Sequence, residues 1–245
     1  MAAAKYIFTC VTTSTVVRDL VQQLSPHMKA DTVIIDCTTG DPDVSLDLSK
    51  QLKSMGVHFI DAPISGGVTG AAKGTLTVMM GGPTALFEEL RPVFSTFSNN
   101  LVHAGEEVGA GHALKGINNL MNVAHMLVAT EGLVALARRG IKPQVALAAI
   151  NGSSGRSLAT TDRYPQHILP RKFTHGFTME LMDKDASIGL SVMKSFPQAT
   201  ILPEVARVFH EAETFVGAQS DYTECVKYFE HLGDVVLKAD DTPSE

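Results

Sequence analysis

Residues 61–76, DAPISGGVTGAAKGTL, follow an apolar run, VHFI (57–60), and crowd glycines and alanines around one serine, Ser65. Their reading decides what kind of sheet this chain builds. A strand ending in a glycine cluster is where open α/β folds hold ligands, at the carboxyl ends of their strands. Ser65, Gly66 and Gly67 would then offer a hydroxyl and unobstructed backbone N–H groups to a carboxylate or phosphate. The other reading is a plain turn ahead of the strand TLTVMM (75–80), with the glycines supplying positive φ. Taken alone, the stretch leaves both open.

Outward from it, residues 5–104 alternate short β-rich runs with helical patterns. KYIFTCV (5–11), TVIIDC (32–37), VHFIDA (57–62), TLTVMM and NLVHA (100–104) have strand character. STVVRDLVQQL (14–24, capped by Ser14 or Thr15), 43–55 and TALFEELRPVFSTF (84–97) have helical character. Strands alternating with helices predict parallel βαβ units, and strands apolar on both faces predict helices covering both sides. From about residue 108 no strand is convincing; 111–139 is one long helical pattern ended by Gly140 and Pro143, and shorter helices follow to about Leu237. The predicted fold is α/β: a partial Rossmann-type parallel sheet over 1–107, then an all-α domain over 108–238 built on a long interdomain helix, with 239–245 a disordered tail. The first strand, with Tyr6, Ile7, Phe8, Cys10 and Val11, is nearly all apolar and would be an aggregation hazard on an edge. It is expected to have neighbours from roughly 60 preceding residues of βα units or from another chain.

The chain has 245 residues, 44% hydrophobic and 19% charged, with net charge −6. This is an ordinary globular composition, and the negative charge argues against a nucleic-acid groove. No unbroken apolar run reaches the roughly 18 residues of a membrane span. Three cysteines, Cys10, Cys37 and Cys225, lack metal spacing and fit a reducing compartment. No His and carboxylate grouping has metal-site spacing. The expected location is cytoplasmic or mitochondrial matrix.

A second constellation is GAGHALKGINNLMN (109–122). On a helix, Lys115, Asn119 and Asn122 fall at i, i+4 and i+7, on one face. The rest is apolar, so the lysine is costly unless paired or used. Burial pulls a lysine's pKa toward neutrality, which suits general acid–base work; a snorkelling lysine at a helix start is the alternative.

Taken together, DAPISGGVTGAAKGTLTVMMGG, GAGHALKGINN and LMDKD (181–185) resemble the β-hydroxyacid dehydrogenase family over roughly residues 5–235. That family includes 3-hydroxyisobutyrate dehydrogenase, tartronate semialdehyde reductase and glyoxylate/succinic semialdehyde reductases. The resemblance implies an NAD- or NADP-dependent oxidoreductase of a small carboxylate-bearing substrate. It makes Lys115 the catalytic proton donor and acceptor, and Asn119 the holder of the substrate oxygen. It makes Ser65, Gly66 and Gly67 the carboxylate loop, and Thr39 and Lys184 cofactor contacts. It implies a homodimer or homotetramer formed by the helical domain, with the active cleft between the domains. Asn118 stands where the related 6-phosphogluconate dehydrogenases carry histidine, which favours the small-hydroxyacid branch.

Two departures matter. The family's opening GxGxxG fingerprint, which seats the pyrophosphate, has no counterpart here, nor does the residue that selects NAD or NADP. The expectation is that the first cofactor-binding units are missing and that activity is impaired. Thr12, in CVTTS, stands at a family proline. Hence two other functions stay open: a non-catalytic dimerisation or binding module, and a 6-phosphogluconate-type enzyme. Among remaining residues, His103 is expected at a strand end and His112 as a solvated or capping histidine. His125 is expected in the interior, Met121, Met126 and Met179–Met182 in the core, and Ser157 near the substrate.

Overall fold

The protein is described by a computed structural model covering residues 4–239. Two compact units divide at Ile117/Asn118, inside the long helix. Of the expected tail, only Ala239 is described, and its N–H donates to Leu169 O at 3.0 Å; the remainder lies outside the described residues.

The first unit contains β1 (Tyr6–Thr9), α1 (Ser14–Leu24), β2 (Val33–Asp36), α2 (Pro42–Lys53), β3 (His58–Asp61), β4 (Ile64–Ser65), α3 (Gly67–Lys73), β5 (Leu76–Gly81), α4 (Thr84–Phe94) and β6 (Ser98–Gly105). Among the described residues they form a six-stranded sheet, ordered β1-β2-β3-β5-β4 with β6 on β5. The strands β1, β2 and β3 are parallel, in a register that aligns Thr9 with Asp36 and Asp36 with Asp61. The predicted parallel pattern stops there: β5 is antiparallel to β3 and β4, and β6 runs parallel to β5. A parallel return needs a full crossover, whereas the chain spends 62–75 on β4 and the short helix α3.

Alternation along β2 feeds two cores. Val33 and Ile35 pack with Ile60, Val78, Met80 and, from α4, Phe87, Leu90 and Phe94. Ile34 packs with Phe59 and, from α1 and α2, Val17, Val21, Leu48 and Leu52. Each such buried side chain contributes about 1.5–3 kcal/mol relative to exposure. The strand β1 pairs only with β2 among the described residues, and Phe8 is 42% exposed, edge-on to Phe94.

The helix α5 (Ala110–Arg138) begins in this unit and continues as the first element of the second. There it is followed by α6 (Pro143–Asn151), a π-helix (Ala159–Ile168), α7 (Met179–Val192), α8 (Ile201–Val216) and α9 (Val226–Gly233). Leu120, Val123, Met126, Leu127 and Val134 form the helical-period stripe that packs on Tyr164, Met179, Met182, Phe209 and Phe229. The buried Tyr164 hydroxyl donates to Thr130 Oγ1 at 2.8 Å. The helix α5 is long and apolar enough, by length and composition only, to cross a membrane, which a search for an unbroken apolar run does not register; its stripe packs into a protein core. Two expectations fail on this helix. His125 is exposed rather than interior, and Met121 is exposed rather than core, because both lie off the buried stripe.

Candidate active site

The glycine stretch is not a bare turn. Ser65 ends β4, opposite Thr77 of β5, and Gly67 begins α3. Gly66 and Gly67 have φ of 133° and 62°, backbone that L side chains rarely adopt. Both are exposed and Ser65 is half-buried, so the loop presents backbone and a hydroxyl to an incoming group.

Lys115 lies in the second turn of α5 and is 6% exposed. Its Nζ donates to Ser65 Oγ at 3.2 Å. Two sequence-predicted site residues fifty positions apart are thus joined directly. What holds the start of α5 is a residue the sequence reading did not single out. Asp61, at the end of β3, is fully buried; its Oδ1 accepts the Gly109 N–H at 2.6 Å and its Oδ2 the His112 N–H at 2.7 Å. These are N–H groups of the helix's opening turn, which lack partners within the helix. Burial raises the Asp61 pKa above the usual carboxylate range, opposed by His112 and by those two backbone hydrogen bonds.

The glycines of the second motif make this seating possible. A Cβ on Gly111 would lie 2.1 Å from Met79 O, and one on Gly109, at φ +101°, would lie 2.7 Å from Pro42 O. His112 is fully buried, contrary to its expected solvated or capping role. Its Nδ1 shares a 2.8 Å hydrogen bond with Ser45 Oγ of α2. Its Nε2 is 3.9 Å from Asp36 Oδ2 without a hydrogen bond.

Thr39 is half-buried in the loop after β2. The strand ends beside it are laced: Asp36 Oδ1 accepts from Thr9 Oγ1 at 2.9 Å and from the Thr38 N–H at 3.1 Å, and Thr38 Oγ1 accepts the Val11 N–H at 3.1 Å.

In the second unit, Asn119 is 9% exposed and donates through Nδ2 to Asp185 Oδ2 at 2.6 Å. Its Oδ1 accepts from Asn118 Nδ2 at 3.1 Å. Asp185, on α7, is 1% exposed. Lys184 Nζ lies 3.0 Å from Asp185 Oδ1, within ion-pair range though not aligned as a hydrogen bond. Asp185, next to Lys184 in the LMDKD motif, is buried and binds the predicted substrate-holding amide. Ser157 is occupied at the start of the π-helix, where its Oγ accepts the Thr160 N–H at 3.4 Å. Among the described residues, no group of three or more His, Cys, Asp and Glu is placed to hold a metal ion.

A nicotinamide dinucleotide needs a cradle for its pyrophosphate and a proton-handling group at its reacting end. The buried Lys115–Ser65 pair suits the reacting end. The two helix starts that follow β1 and β2 are already capped from within the chain. The start of α1 is capped by Thr13, and α2 is capped by Asp41, whose carboxylate takes the Asp43 N–H at 2.8 Å and would repel a phosphate.

Known proteins match both parts of the chain. Residues 1–105 match the NAD-binding domain of 6-phosphogluconate dehydrogenase, and 109–229 the NAD-binding family of NADP-dependent 3-hydroxyisobutyrate dehydrogenase. The chain is 32% identical to 2-(hydroxymethyl)glutarate dehydrogenase of Eubacterium barkeri, over 94% of this chain and 78% of that protein. It is 32% identical to 3-hydroxyisobutyrate dehydrogenase of Pseudomonas aeruginosa, over 71% of this chain and 60% of that protein. Among solved structures, 3-hydroxyisobutyrate dehydrogenase of Mycobacterium tuberculosis with L-serine superposes with a TM-score of 0.84 at 26% identity, covering 93% of this chain and 80% of that one.

Proposed function

Since the chain belongs to the β-hydroxyacid dehydrogenase family, we propose that it is an NAD- or NADP-dependent oxidoreductase of a small β-hydroxyacid or its semialdehyde. The observation that carries this reading is the buried Lys115 Nζ 3.2 Å from Ser65 Oγ, beside a loop of exposed glycines. The substrate carboxylate accepts hydrogen bonds from the Ser65 hydroxyl and the Gly66–Gly67 backbone. This orients the β-hydroxyl toward Lys115, whose Nζ takes its proton as the carbinol carbon is oxidised and returns it in the reverse direction. Bound NAD or NADP supplies the hydride acceptor or donor. Asn119, one turn along the same helix, holds the reacting oxygen; its donation to Asp185 fixes the amide orientation. Thr39 and Lys184 are the proposed cofactor contacts. The working form is a homodimer or homotetramer, located in the cytoplasm or the mitochondrial matrix.

The test is turnover of 3-hydroxyisobutyrate, L-serine and 2-(hydroxymethyl)glutarate by the full chain with NAD and NADP. Turnover of at least one, with KM raised about tenfold by Ser65→Ala, is expected. A second reading, a non-catalytic binding module, draws on the Asp41 carboxylate at the start of α2, which would repel a phosphate. Hydroxyacid binding by folded protein without cofactor binding or turnover would favour it.

A further inference from the structure

We propose that Asp61 is a positioning residue that sets the distance between the carboxylate-binding serine and the proton-handling lysine. This rests on the roles given above to Ser65 and Lys115. Asp61 is joined to both sides of the pair. Along the chain it stands four residues before Ser65, across a short connection from β3 to β4. Through space its two carboxylate oxygens hold the N–H groups of Gly109 and His112, the latter three residues before Lys115. A displacement of the helix start relative to β3 therefore moves Nζ directly against Ser65 Oγ.

The carboxylate is the side chain that fits this place. It is fully buried and both oxygens accept from backbone, so it has no exposed face with which to meet a substrate. Its surroundings are built for close approach: a Cβ on Gly81 would fall 2.5 Å from Asp61 Oδ1 and 2.8 Å from the Gly111 nitrogen. With Gly111 pressed on Met79 O, β5, Asp61 and the start of α5 form a latch without room for adjustment. Gly109 and Gly111, which precede His112 in GAGHALKG, thus have a mechanical reason, which is to let the helix start reach the carboxylate.

The experiment replaces the carboxylate and follows Lys115 itself. In Asp61→Asn the amide still accepts one N–H, but its NH2 faces the other N–H, donor against donor. Two readouts are used on the full chain without cofactor. One is the lysine-selective 13C NMR titration of the Lys115 side chain, assigned by its loss in Lys115→Arg. The other is the calorimetric Kd for 3-hydroxyisobutyrate. The reference is Leu52→Ala, which removes a buried side chain from the α2 core of the same unit and lowers stability without touching the latch. Asp61→Asn is expected to move the Lys115 signal and its titration midpoint and to weaken Kd about tenfold, while Leu52→Ala moves neither. If the two variants leave the Lys115 signal and Kd equally unchanged, Asp61 is merely structural and the proposal is overturned. Should Asp61→Asn not fold, Gly81→Ala, which displaces the carboxylate without removing it, is read against the same criteria. A fully active Lys115→Ala enzyme would remove the catalytic role of the lysine but leave these readouts to judge the latch separately.

Discussion

Lys115 and Asn119 sit one turn apart on α5, yet the two units hold them by different physics. In the first unit the backbone is held: a carboxylate takes two helix N–H groups, and two glycines bring the helix start against neighbouring backbone. In the second unit a side chain is held: the Asn119 amide meets the Asp185 carboxylate, with Lys184 close to its other oxygen. Backbone contacts at 2.1–2.9 Å from a hypothetical Cβ cannot be relieved by a rotamer change, whereas a side-chain pair can re-form around a substitute. The first group should therefore fail steeply and the second gradually.

The largest structural effect is expected at the latch. Gly111→Ala should cost about 3 kcal/mol or prevent folding, read as a loss of melting temperature. A melting temperature equal to wild type would mean that α5 can shift freely. Asp185→Ala leaves the buried Asn119 amide without its acceptor and should cost about 1–3 kcal/mol; if Asp185→Asn restores most of it, the pair is as adaptable as supposed.

Next comes a pH effect confined to the second unit. Burial first, and then the Arg163 charge and His167, lower the His175 pKa to about 4, against the opposing pull of Asp221 and Asp162. The unfolded chain then binds the extra proton between about pH 4 and the ordinary histidine value near 6.5. Stability should rise with pH across that window and fall as pH drops through it. Allowing for partial exposure, the effect is on the order of 1 kcal/mol. Melting at pH 4.5 and 7 should show it in wild type and not in His175→Phe, which keeps a ring against Tyr222; an unchanged slope in the variant would contradict it. The smallest change is Gly132→Ala. It lies on the same helix as Gly111, but its Cβ would meet nothing within 4 Å, so it should stabilise by about 1 kcal/mol. Opposite signs at these two glycines would show that the latch, and not the helix as such, demands glycine.

What the sequence made legible follows from the range of the interactions. Strands β1 to β3 and the long helix α5 appear because periodicity is local, though its buried face was misread at Met121 and His125. Ser65, Lys115 and Asn119 stood out as polar groups in glycine-rich or apolar settings, but the resemblance, not periodicity, supplied their roles. Asp61 was passed over because its partners are 48 and 51 residues away. His112 was misjudged because the hydroxyl that satisfies it comes from Ser45 on α2. The helix α3 was missed because Gly67, Gly70 and Gly74 carry low helix propensity, although Gly74, at φ +63°, ends the helix as a left-handed cap. The π-helix, which contains Pro165, has no distinct apolar period to betray it.

The most direct test of the Lys115–Ser65 site is kcat for the best hydroxyacid with wild-type protein and with Lys115→Ala, at matched melting temperature and saturating NAD or NADP. A loss of about 10²–10⁴-fold is expected for a positioned acid–base group. Turnover by Lys115→Ala within a few-fold of wild type would contradict the assignment of the proton to this lysine.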